Sequence, residues 1–530
     1  MNNLNKVQKK ALENAEKYFN NTLIVKYNLE PLDITKGINW DYQSKNNART
    51  YQVYLHSLNF ISDLLTAGII MENNKYIKEA KKIIMNWYTS DSSFNQKWNE
   101  HAVSTRIKNI INFQESEHSF KIPKKIFNKI VIEHCDFLSD EDNYKRNNHG
   151  LMMDSALIYS SSVLENNNFK KVYLEKAMYR IRYAFYRDFS RKGVHLENSP
   201  EYHKLVIILY RKIIAGLKRH NLKIDKELKL IIENAKVFNQ YMIKPNLTYP
   251  MIGDTGLIEE KSIKKLFKDF IDYEAGIVVL NDKREKDSTQ SSYLTFKSGY
   301  QSKTHKHYDD LSITYYNFGK DILIDPGKYS YNKSDAIREF IISPEAHNTI
   351  SIKNKKYELK NPLTDQQKLK ITRFIKNKES KIITGVNNLY PGTSLSRHTI
   401  FTRDDILFLI DGANSSSDEI FQQNFNFNKG AEIKIINNLK YSIFIDGIGY
   451  ILETFPIRKQ TITSSIKKSY YSEKFSKVIK NERIVFETKA KRTIFATTLY
   501  RADKADITNV TLLNNHLNFK NIDQIVDIKL

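Results

Sequence analysis

The hydrophobic pattern of this 530-residue chain changes once, and this change constrains its fold more than any other feature. Before residue 285, apolar residues recur every three or four positions, which is the spacing of amphipathic helices. After a polar link at 285–292, apolar and polar residues alternate in short stretches rich in β-branched and aromatic residues, as in strands. The sequence therefore predicts a helical domain over residues 1–284 and a β-rich domain over residues 285–530.

The helical half should consist of hairpins, because its predicted helices have similar lengths and short polar loops join them. One such loop is Asp91-Ser92-Ser93. Hairpins of this kind stack into a solenoid or close into an (α/α) toroid, and periodicity alone does not choose between the two. The predicted helices span 51–67, 76–88, 102–113, 124–137, 151–163, 173–189 and 201–217.

The second half should form antiparallel sheets, because its strands follow one another with few helical segments between them. Turn signals such as Asp325-Pro326-Gly327 separate these strands. An antiparallel sheet or a sandwich of such sheets is the expected architecture. The predicted strands span 293–296, 311–318, 322–325, 349–352, 406–410, 441–445 and 493–498.

The charge of the chain suggests a polyanionic partner. Lys and Arg number 83 against 60 Asp and Glu, which gives a net charge of +23. Such a field attracts nucleic acid, an anionic membrane surface or an acidic glycan. Nucleic acid is the least favoured of these partners, since the cations are dispersed along the chain. The single cysteine, Cys135, excludes an intramolecular disulfide.

The chain shows no recognisable targeting or membrane segment. The N-terminal residues 1–11 are polar and lysine-rich, and no apolar run follows them. No stretch approaches the ~18 apolar residues of a membrane span. We therefore expect a cytoplasmic protein as the sequence is written, and a periplasmic or secreted one if a signal has been removed.

The first motif that suggests chemistry is Asn147-Asn148-His149-Gly150, directly before a predicted helix and followed by Asp154. Asparagine amides and an imidazole at a helix start, beside free backbone N–H groups, can bind a carboxylate. The alternative is an ordinary capping loop with a surface histidine.

The second motif runs from His195 to His203. Ser199 fits the N-cap of a helix, and Pro200 fits its first position. Tyr202 then falls in the first helical turn, where its hydroxyl can point into a cleft and the positive helix end favours a phenolate. The alternative is a tyrosine that packs beneath the helix.

The third motif contains His305 and His307. In an extended segment the two side chains point to the same side, which suits a metal pair or one ligand beside a catalytic base. With Asp325 and His347, which follow in the chain, a zinc shell of His, Asp, His and water becomes plausible. The alternative is two surface histidines.

Three further observations are weaker. Arg106 follows Trp98 and Ala102 at four-residue intervals, so it can share their inward face and meet an anionic substrate, or it can be solvated. The motifs of phosphate loops, dinucleotide-binding folds, nucleophile elbows and cysteine-rich zinc sites are not found in the sequence. His134 and His220 are expected to be surface residues of helices.

Together these segments resemble the heparinase II/III-like polysaccharide lyases. The resemblance spans residues 40–480, and its most specific part is the C-terminal block, where order, spacing and strand context agree. The segments that carry it are Asn147-Asn148-His149-Gly150, Ser199-Pro200-Glu201-Tyr202, Lys297-Ser298-Gly299, His305-Lys306-His307, Asp325-Pro326-Gly327 and His347-Asn348-Thr349.

The resemblance implies an N-terminal (α/α) toroid followed by a C-terminal antiparallel β-sandwich. It also implies lyase activity on a uronic-acid polysaccharide such as heparan sulfate, alginate or a bacterial exopolysaccharide. Asn148 and His149 would then neutralise the uronate carboxylate. Tyr202 would be the catalytic tyrosine, and His305 the catalytic histidine of the second domain.

The resemblance further implies a structural Zn²⁺, with His307, Asp325 and His347 as its ligands. Arg106 and Glu197 are predicted to contact the substrate. Family members are commonly exported, whereas this sequence shows no signal.

The expected chemistry is the removal of the C5 proton of a uronic acid, which lies α to a carboxylate and is very weakly acidic. Neutralising the carboxylate is therefore the main requirement. A base must then take the proton and an acid must protonate the leaving O4. Tyr202 and His305 are the available pair, and the sequence leaves open which is base and which is acid.

Three alternatives stay open on the sequence alone. The chain could be a non-catalytic binding or assembly protein for acidic glycans on the same fold. It could bind nucleic acid, which only the charge suggests. It could be a zinc hydrolase, which would need an open metal position that faces the substrate. The sequence makes no prediction of the oligomeric state.

Overall fold

A computed structural model describes residues 4–45, 47–91, 95–219, 223–284, 286–332 and 334–530. The chain divides into two compact units. The first unit consists of Met1–Arg187 and Ile208–Leu228, and the second consists of Asp188–Ile207 and Lys229–Leu530.

The first unit is mainly helical. Three short 3-10 turns also occur in the described chain, at Asn95–Trp98, Ser288–Gln290 and Pro344–Ala346. The α-helices of the two units together are α1 Lys6–Phe19, α2 Ala48–His56, α3 Phe60–Ile70, α4 Asn74–Thr89, α5 Glu100–Glu115, α6 Lys124–Ser139, α7 Asn148–Ser162, α8 Asn167–Asp188, α9 Pro200–Arg219, α10 Lys226–Met242, α11 Ala336–Ile341 and α12 Pro362–Asp365. Helices α11 and α12 lie in the second unit.

The helices of the first unit contact one another in a regular succession. Helix α3 packs against α1 and α5, and α5 packs against α7. Between them, α4 packs on α3 and α6 packs on α7. Contacts between alternate helices are typical of stacked hairpins. The predicted helical N-terminal region is confirmed, and its packing fits a toroid of hairpins.

The predicted helix over 51–67 is wrong in one respect, because two helices occupy that region. The break falls between α2 and α3, where Leu58 adopts a left-handed conformation with φ +53°. Among the described residues, no single helix is long and apolar enough to cross a membrane, although α2 and α3 taken together pass that test with a 41° bend.

Four of the described helices were not predicted: α1, α10 and the short α11 and α12. Helix α1 buries only Ala11 and Ala15, so its apolar face is too narrow to stand out in the sequence. The predicted stop at 91–93 lies partly outside the described residues, since Ser92 and Ser93 are not among them.

All strand pairs in the named sheets are antiparallel. The strands are β1 Thr22–Leu23, β2 Leu32–Asp33, β3 Phe270–Asp272, β4 Ile277–Asp282, β5 Ser292–Lys297, β6 Ser312–Asn317, β7 Lys320–Leu323, β8 Ile350–Ile352, β9 Leu369–Lys376, β10 Ser380–Asn387, β11 Thr393–Thr402, β12 Leu407–Asn426, β13 Glu432–Asn437, β14 Lys440–Ile445, β15 Ile448–Phe455, β16 Thr463–Lys474, β17 Lys477–Arg501, β18 Ile507–Leu513, β19 His516–Asn521 and β20 Gln524–Lys529.

The second unit contains three of these sheets within the described chain. A five-stranded sheet has the order β3-β4-β5-β6-β7. A ten-stranded sheet has the order β13-β14-β15-β17-β12-β11-β10-β9, with β16 paired to β17 and β8 paired to β12. A small sheet of β18, β19 and β20 follows at the end of the chain.

One hydrophobic core joins the five-stranded and ten-stranded sheets. It contains Phe296 and Ile313 from the smaller sheet and Leu409, Phe425 and Phe486 from the larger one. Burying such side chains contributes about 1.5–3 kcal/mol each relative to leaving them exposed. The predicted antiparallel sandwich is therefore confirmed, although β12 and β17 are far longer than the strands predicted at 406–410 and 493–498.

The opposite face of the five-stranded sheet packs against helix α10 and the segment before α9. Val194 and Leu196 from that segment meet Phe238 from α10 and Val279 and Tyr293 from the sheet. This second core fixes the path of the chain as it enters α9.

The predicted boundary between residues 284 and 285 stays a prediction. The five-stranded sheet of the second unit begins earlier, at Phe270 in β3. Glu285, the first residue of the predicted second domain, lies outside the described residues.

Replacing Gly276 tests the close approach of two backbone segments, at Gly276 and Ser298. Gly276 has φ +63°, and a Cβ there would lie 2.2 Å from the Ser298 carbonyl oxygen. The left-handed conformation costs alanine ~1–2 kcal/mol, and the clash adds about 1–3 kcal/mol. We expect Gly276→Ala to lose the sum of these terms in the free energy of unfolding, measured by urea denaturation.

Gly319 provides the matched control for this substitution. It has φ +82° in the β6–β7 turn, but a Cβ there would meet nothing within 4 Å. Gly319→Ala should therefore lose only the conformational term. Equal losses in the two variants would contradict the close approach at Gly276.

Candidate functional site

The start of α9 is held by several hydrogen bonds. The Ser199 hydroxyl lies 3.4 Å from the Tyr202 N–H as the N-cap, and Pro200 is the first helical residue. The buried His203 accepts from the His195 N–H through Nδ1 at 3.0 Å and donates from Nε2 to the Ala235 carbonyl at 2.9 Å. The predicted cap and the place of Tyr202 in the first turn are confirmed.

Asn198 connects this helix start to the loop that carries His305. The Asn198 amide donates to the carbonyls of Ser302 and Thr304 at 2.7 and 3.1 Å. Gly253 lies between the two segments, where a Cβ would come within 2.5 Å of the Asn198 oxygen and 2.8 Å of the His305 oxygen. The close approach therefore requires glycine at this position.

This connection places Tyr202 on His305. The two rings stack with centroids 3.5 Å apart and an angle of 15° between their planes. His305 has φ +56° in a turn, so the expectation that His305 and His307 share an extended segment is wrong. His305 faces Tyr202, while His307 is buried beside Asp325 and His347.

Tyr331 also contacts Tyr202, and sequence reasoning did not identify it. The two hydroxyl oxygens are 2.7 Å apart. Burial and the hydrogen bond with Tyr202 raise the pKa of Tyr331, so its hydroxyl stays protonated at neutral pH. The signal that could have found it is its position shortly after Asp325-Pro326-Gly327.

Charged groups surround the stacked pair. Lys328 lies 5.1 Å from the centroid of the Tyr202 ring and donates to Glu201 at 2.9 Å. Burial opposes its charge, but the hydrogen bond to Glu201 and the nearby Tyr202 raise the pKa of Lys328. Glu197 lies 3.2 Å from Nδ1 of His305. The predicted substrate-binding residue Glu197 thus lies beside the predicted catalytic histidine.

A separate group of side chains in the second unit could hold a metal ion. His307, Asp325 and His347 are buried, and one donor atom from each lies within 4.8 Å of the others. Nδ1 of His307 is 3.3 Å from Nε2 of His347, which is 3.7 Å from Oδ1 of Asp325. The structure therefore brings together the three predicted ligands.

The outward nitrogens of both histidines already have partners. Nε2 of His307 is 3.1 Å from Asp254, and Nδ1 of His347 is 2.7 Å from the Ser343 carbonyl. Donation from these nitrogens leaves the inward nitrogens as lone pairs that point at one another. Two such nitrogens beside a carboxylate fit a divalent cation.

The predicted carboxylate-binding residues lie at the start of α7 in the first unit. Oδ1 of Asn147 accepts from the His149 N–H at 2.9 Å, and Asn148 is the first helical residue and half-buried. Nδ1 of His149 lies 2.9 Å from Glu100, and this contact lowers the pKa of Glu100. Sequence reasoning missed Glu100, because it lies on a different helix.

Asp154, the acidic residue of the same motif, contacts two residues near the start of α7. It is fully buried, accepts from the Tyr144 hydroxyl at 2.9 Å and lies 3.7 Å from Arg180. Burial raises the pKa of Asp154 to about 8. At Gly150 a Cβ would lie 2.0 Å from the Lys145 carbonyl, so glycine is required there.

Arg106 does not fit the prediction that it meets an anionic substrate. Its side chain is fully buried and donates to the carbonyls of His56 and Lys97 at 2.8 and 2.9 Å. It also donates to Nε2 of His134 at 3.0 Å. The expectation that His134 is a surface residue is therefore wrong, and His220 lies outside the described residues. The helical spacing correctly placed Arg106 inward, but its partners there are protein groups.

Comparisons with known proteins agree with this arrangement. The heparinase II/III N-terminus family matches residues 1–275, and the heparinase II/III-like C-terminal family matches residues 273–509. A heparin-sulfate lyase of Bacteroides thetaiotaomicron is 19% identical over 516 residues, which cover 84% of this chain and 72% of the relative.

Solved structures share the fold at low sequence identity. A mutant of the heparan sulfate lyase HepC from Pedobacter heparinus matches with a TM-score of 0.81 and 16% identity, over 99% of this chain and 90% of that one. A heparinase III with methylated lysines matches with a TM-score of 0.79 and 18% identity, over 98% and 90% of the two chains. Since the two family matches together extend from residue 1 to residue 509, the chain belongs to the heparinase II/III-like family.

Proposed function

We propose that this heparinase II/III-like polysaccharide lyase cleaves a uronic-acid polysaccharide by β-elimination, with Tyr202 and His305 as its acid–base pair. The observation that carries the proposal is the stacking of Tyr202 on His305 at 3.5 Å. Heparan sulfate is the first substrate to test, because the relatives are named heparin-sulfate and heparan sulfate lyases.

The reaction breaks two bonds and forms one double bond within the sugar. A base removes the C5 proton, the electrons of that bond form the C4–C5 double bond, and the C4–O4 bond breaks. The leaving O4 takes up a proton, and no water is consumed. The transition state places extra negative charge next to the carboxylate, so donors that neutralise this group lower the barrier. We assign this role to Asn148 and His149.

Tyr202 and His305 can carry out the two proton transfers of this reaction, one from C5 and one to O4. Each side chain can accept or donate a proton, and each lies within ring contact of the other. Lys328 lies 5.1 Å from the centroid of the Tyr202 ring, and its positive charge can stabilise negative charge that develops on the Tyr202 oxygen. The Tyr331 hydroxyl, 2.7 Å away, can donate a hydrogen bond to that oxygen. The configuration at C5 decides which member of the pair acts as base.

We also propose that His307, Asp325 and His347 hold a structural Zn²⁺. Their donor set is one that zinc accepts. Since all three side chains are buried, this arrangement argues against the alternative of a zinc hydrolase with a metal position facing substrate. The ion would fix His307 and thereby the segment that carries His305 two residues earlier.

Tyr202→Phe should abolish the lyase activity while leaving the fold intact. The variant keeps the ring that stacks on His305 and removes only the hydroxyl that moves the proton. We expect kcat to fall by about 10²–10⁴-fold, measured from the ultraviolet absorbance of the unsaturated uronate product. Tyr179→Phe, at an exposed tyrosine of α8, is the matched control and should keep full activity. Full activity in Tyr202→Phe would rule out the assigned mechanism.

Asn148→Ala should lower the rate through the loss of carboxylate neutralisation. We expect a loss of about 10²–10³-fold in kcat, as for other single donors to a developing negative charge. The same absorbance assay measures it. Asn168→Ala is the control, because Asn168 is an exposed asparagine in the first turn of α8. If the two variants are equally active, Asn148 does not bind the carboxylate.

Metal analysis tests the zinc proposal separately. We expect about one zinc per chain in the purified protein, and its loss in Asp325→Asn, because a carboxylate ligand is removed. The midpoint of thermal unfolding should fall in that variant as well. Asp404→Asn, at an exposed aspartate of the same unit, should keep the metal. A wild-type protein without bound metal that is equally stable with and without added zinc would contradict the proposal.

A further inference from the structure

A cavity in the first unit carries two lysines that no described function uses. It has a volume of about 290 Å³ and is bounded by α5, α7 and α9. Lys108 and Lys212 line it, together with Asn112, Ser155 and Tyr159. None of the proposed catalytic or metal-binding residues is among the lining residues, so ligand binding in this cavity would not depend on the lyase function.

The two lysines have no acidic counterpart. No Asp or Glu lines the cavity. Among the described residues, no carboxylate lies within ion-pairing distance of Lys108 or Lys212, whereas many other lysines of this chain have such a partner. Lys108 donates one hydrogen bond, to the Ser155 hydroxyl at 3.1 Å. The half-buried Lys108 and the exposed Lys212 therefore share one cavity without a paired carboxylate.

The uncompensated charge of Lys108 is costly unless a ligand supplies a counter-charge. Moving an ammonium group out of water without a partner is unfavourable, and this cost falls on Lys108, because Lys212 is exposed. Burial, and then the nearby Lys212, lower the pKa of Lys108 to about 8.

The remaining polar groups of the cavity are arranged as donors. The Tyr159 hydroxyl donates to Oδ1 of Asn112 at 2.6 Å and lies 3.5 Å from the Glu115 carboxylate, which does not line the cavity. The contact with Tyr159 leaves the Asn112 amino group as a donor. Ser155 accepts from Lys108 and keeps its own hydroxyl hydrogen. Two ammonium groups, an amide and a hydroxyl match a group with several acceptor oxygens and a negative charge.

We propose that this cavity is an oxyanion-binding site that holds a sulfate or carboxylate group between Lys108 and Lys212. Its volume is close to the lower end of small-molecule pockets, about 300 Å³, and exceeds what a bare ion fills. Ile158 and Ile213 line its apolar part and can contact the carbon skeleton of the ligand. The ligand is therefore an oxyanion carried on one saccharide unit, or inorganic sulfate with the same chemistry.

The geometry of α7 favours the saccharide source. Ser155 follows Asn148 by seven residues, which puts both on the same face of α7, about two turns apart. The face that begins with the proposed carboxylate-binding asparagine therefore continues into the lysine cavity. An acidic sugar is a ligand that this face would meet.

Calorimetric titration of the full chain tests the site. The ligands are sodium sulfate, a sulfated glucosamine and glucuronate, each at constant ionic strength. We expect binding by the wild type, and dissociation constants at least about tenfold higher in Lys108→Met and Lys212→Met, because each variant removes one charge-assisted hydrogen bond. Lys129→Met, at a lysine of α6 that is 70% exposed, should bind as the wild type does.

Thermal unfolding provides an independent readout. Sulfate should raise the unfolding midpoint of the wild type and of Lys129→Met more than that of Lys108→Met, because only the first two bind it. Without added anion, Lys108→Met should be at least as stable as the wild type, since it removes an uncompensated charge. If Lys108→Met does not fold, the exposed Lys212 allows the same comparison.

The outcomes separate the two ligand sources. Binding of a saccharide that depends on Lys108 or Lys212 supports the site with a sugar ligand, and binding of sulfate alone supports it with an inorganic one. Equal affinities in the wild type and both lysine variants, or no binding of any of the three ligands, would overturn the proposal. Lyase activity is measured on the same samples, so a failure of the lyase assignment is recognised separately.

Discussion

The buried lysine Lys306 holds the loop on which the rest of the site depends. It is almost fully buried and pairs with Asp309 and with Asp310, the latter at 2.9 Å. Removing one partner of such a pair leaves an uncompensated charge and costs about 3–5 kcal/mol. These ion pairs fix the loop in which His305 adopts its left-handed conformation and lies against Tyr202. The position of His305 against Tyr202 therefore depends on the buried ion pairs of Lys306.

Asp254 connects the cluster of His307, Asp325 and His347 with the stacked pair. Its side chain contacts Nε2 of His307 and accepts from Arg338 at 2.7 Å. Its backbone carbonyl accepts from the Ser199 hydroxyl, which caps the helix that carries Tyr202. One residue thus holds a predicted metal ligand and the start of α9. Asp254 is therefore in contact with both parts of the site.

Local patterns in the sequence identified the features that depend on neighbouring residues. The helical and strand periods predicted the two halves of the fold, and the capping pattern placed Tyr202 in the first turn of α9. The conformation of His305 was not predictable, because the turn it occupies is held by the buried charges of Lys306. The contact of Glu100 with His149 joins two helices 49 positions apart, and hydrophobic periodicity carries no information about such pairs.

The proposed elimination requires groups from distant segments of the chain to act on one sugar. The most direct test is a crystal structure of the Tyr202→Phe protein with an acidic oligosaccharide bound. We expect the Asn148 amide to contact the carboxylate of the same uronate whose C5 lies next to the ring at position 202 and to His305. A complex in which Asn148 and His305 contact different sugar units, or in which only one of them touches the ligand, would contradict the proposed mechanism.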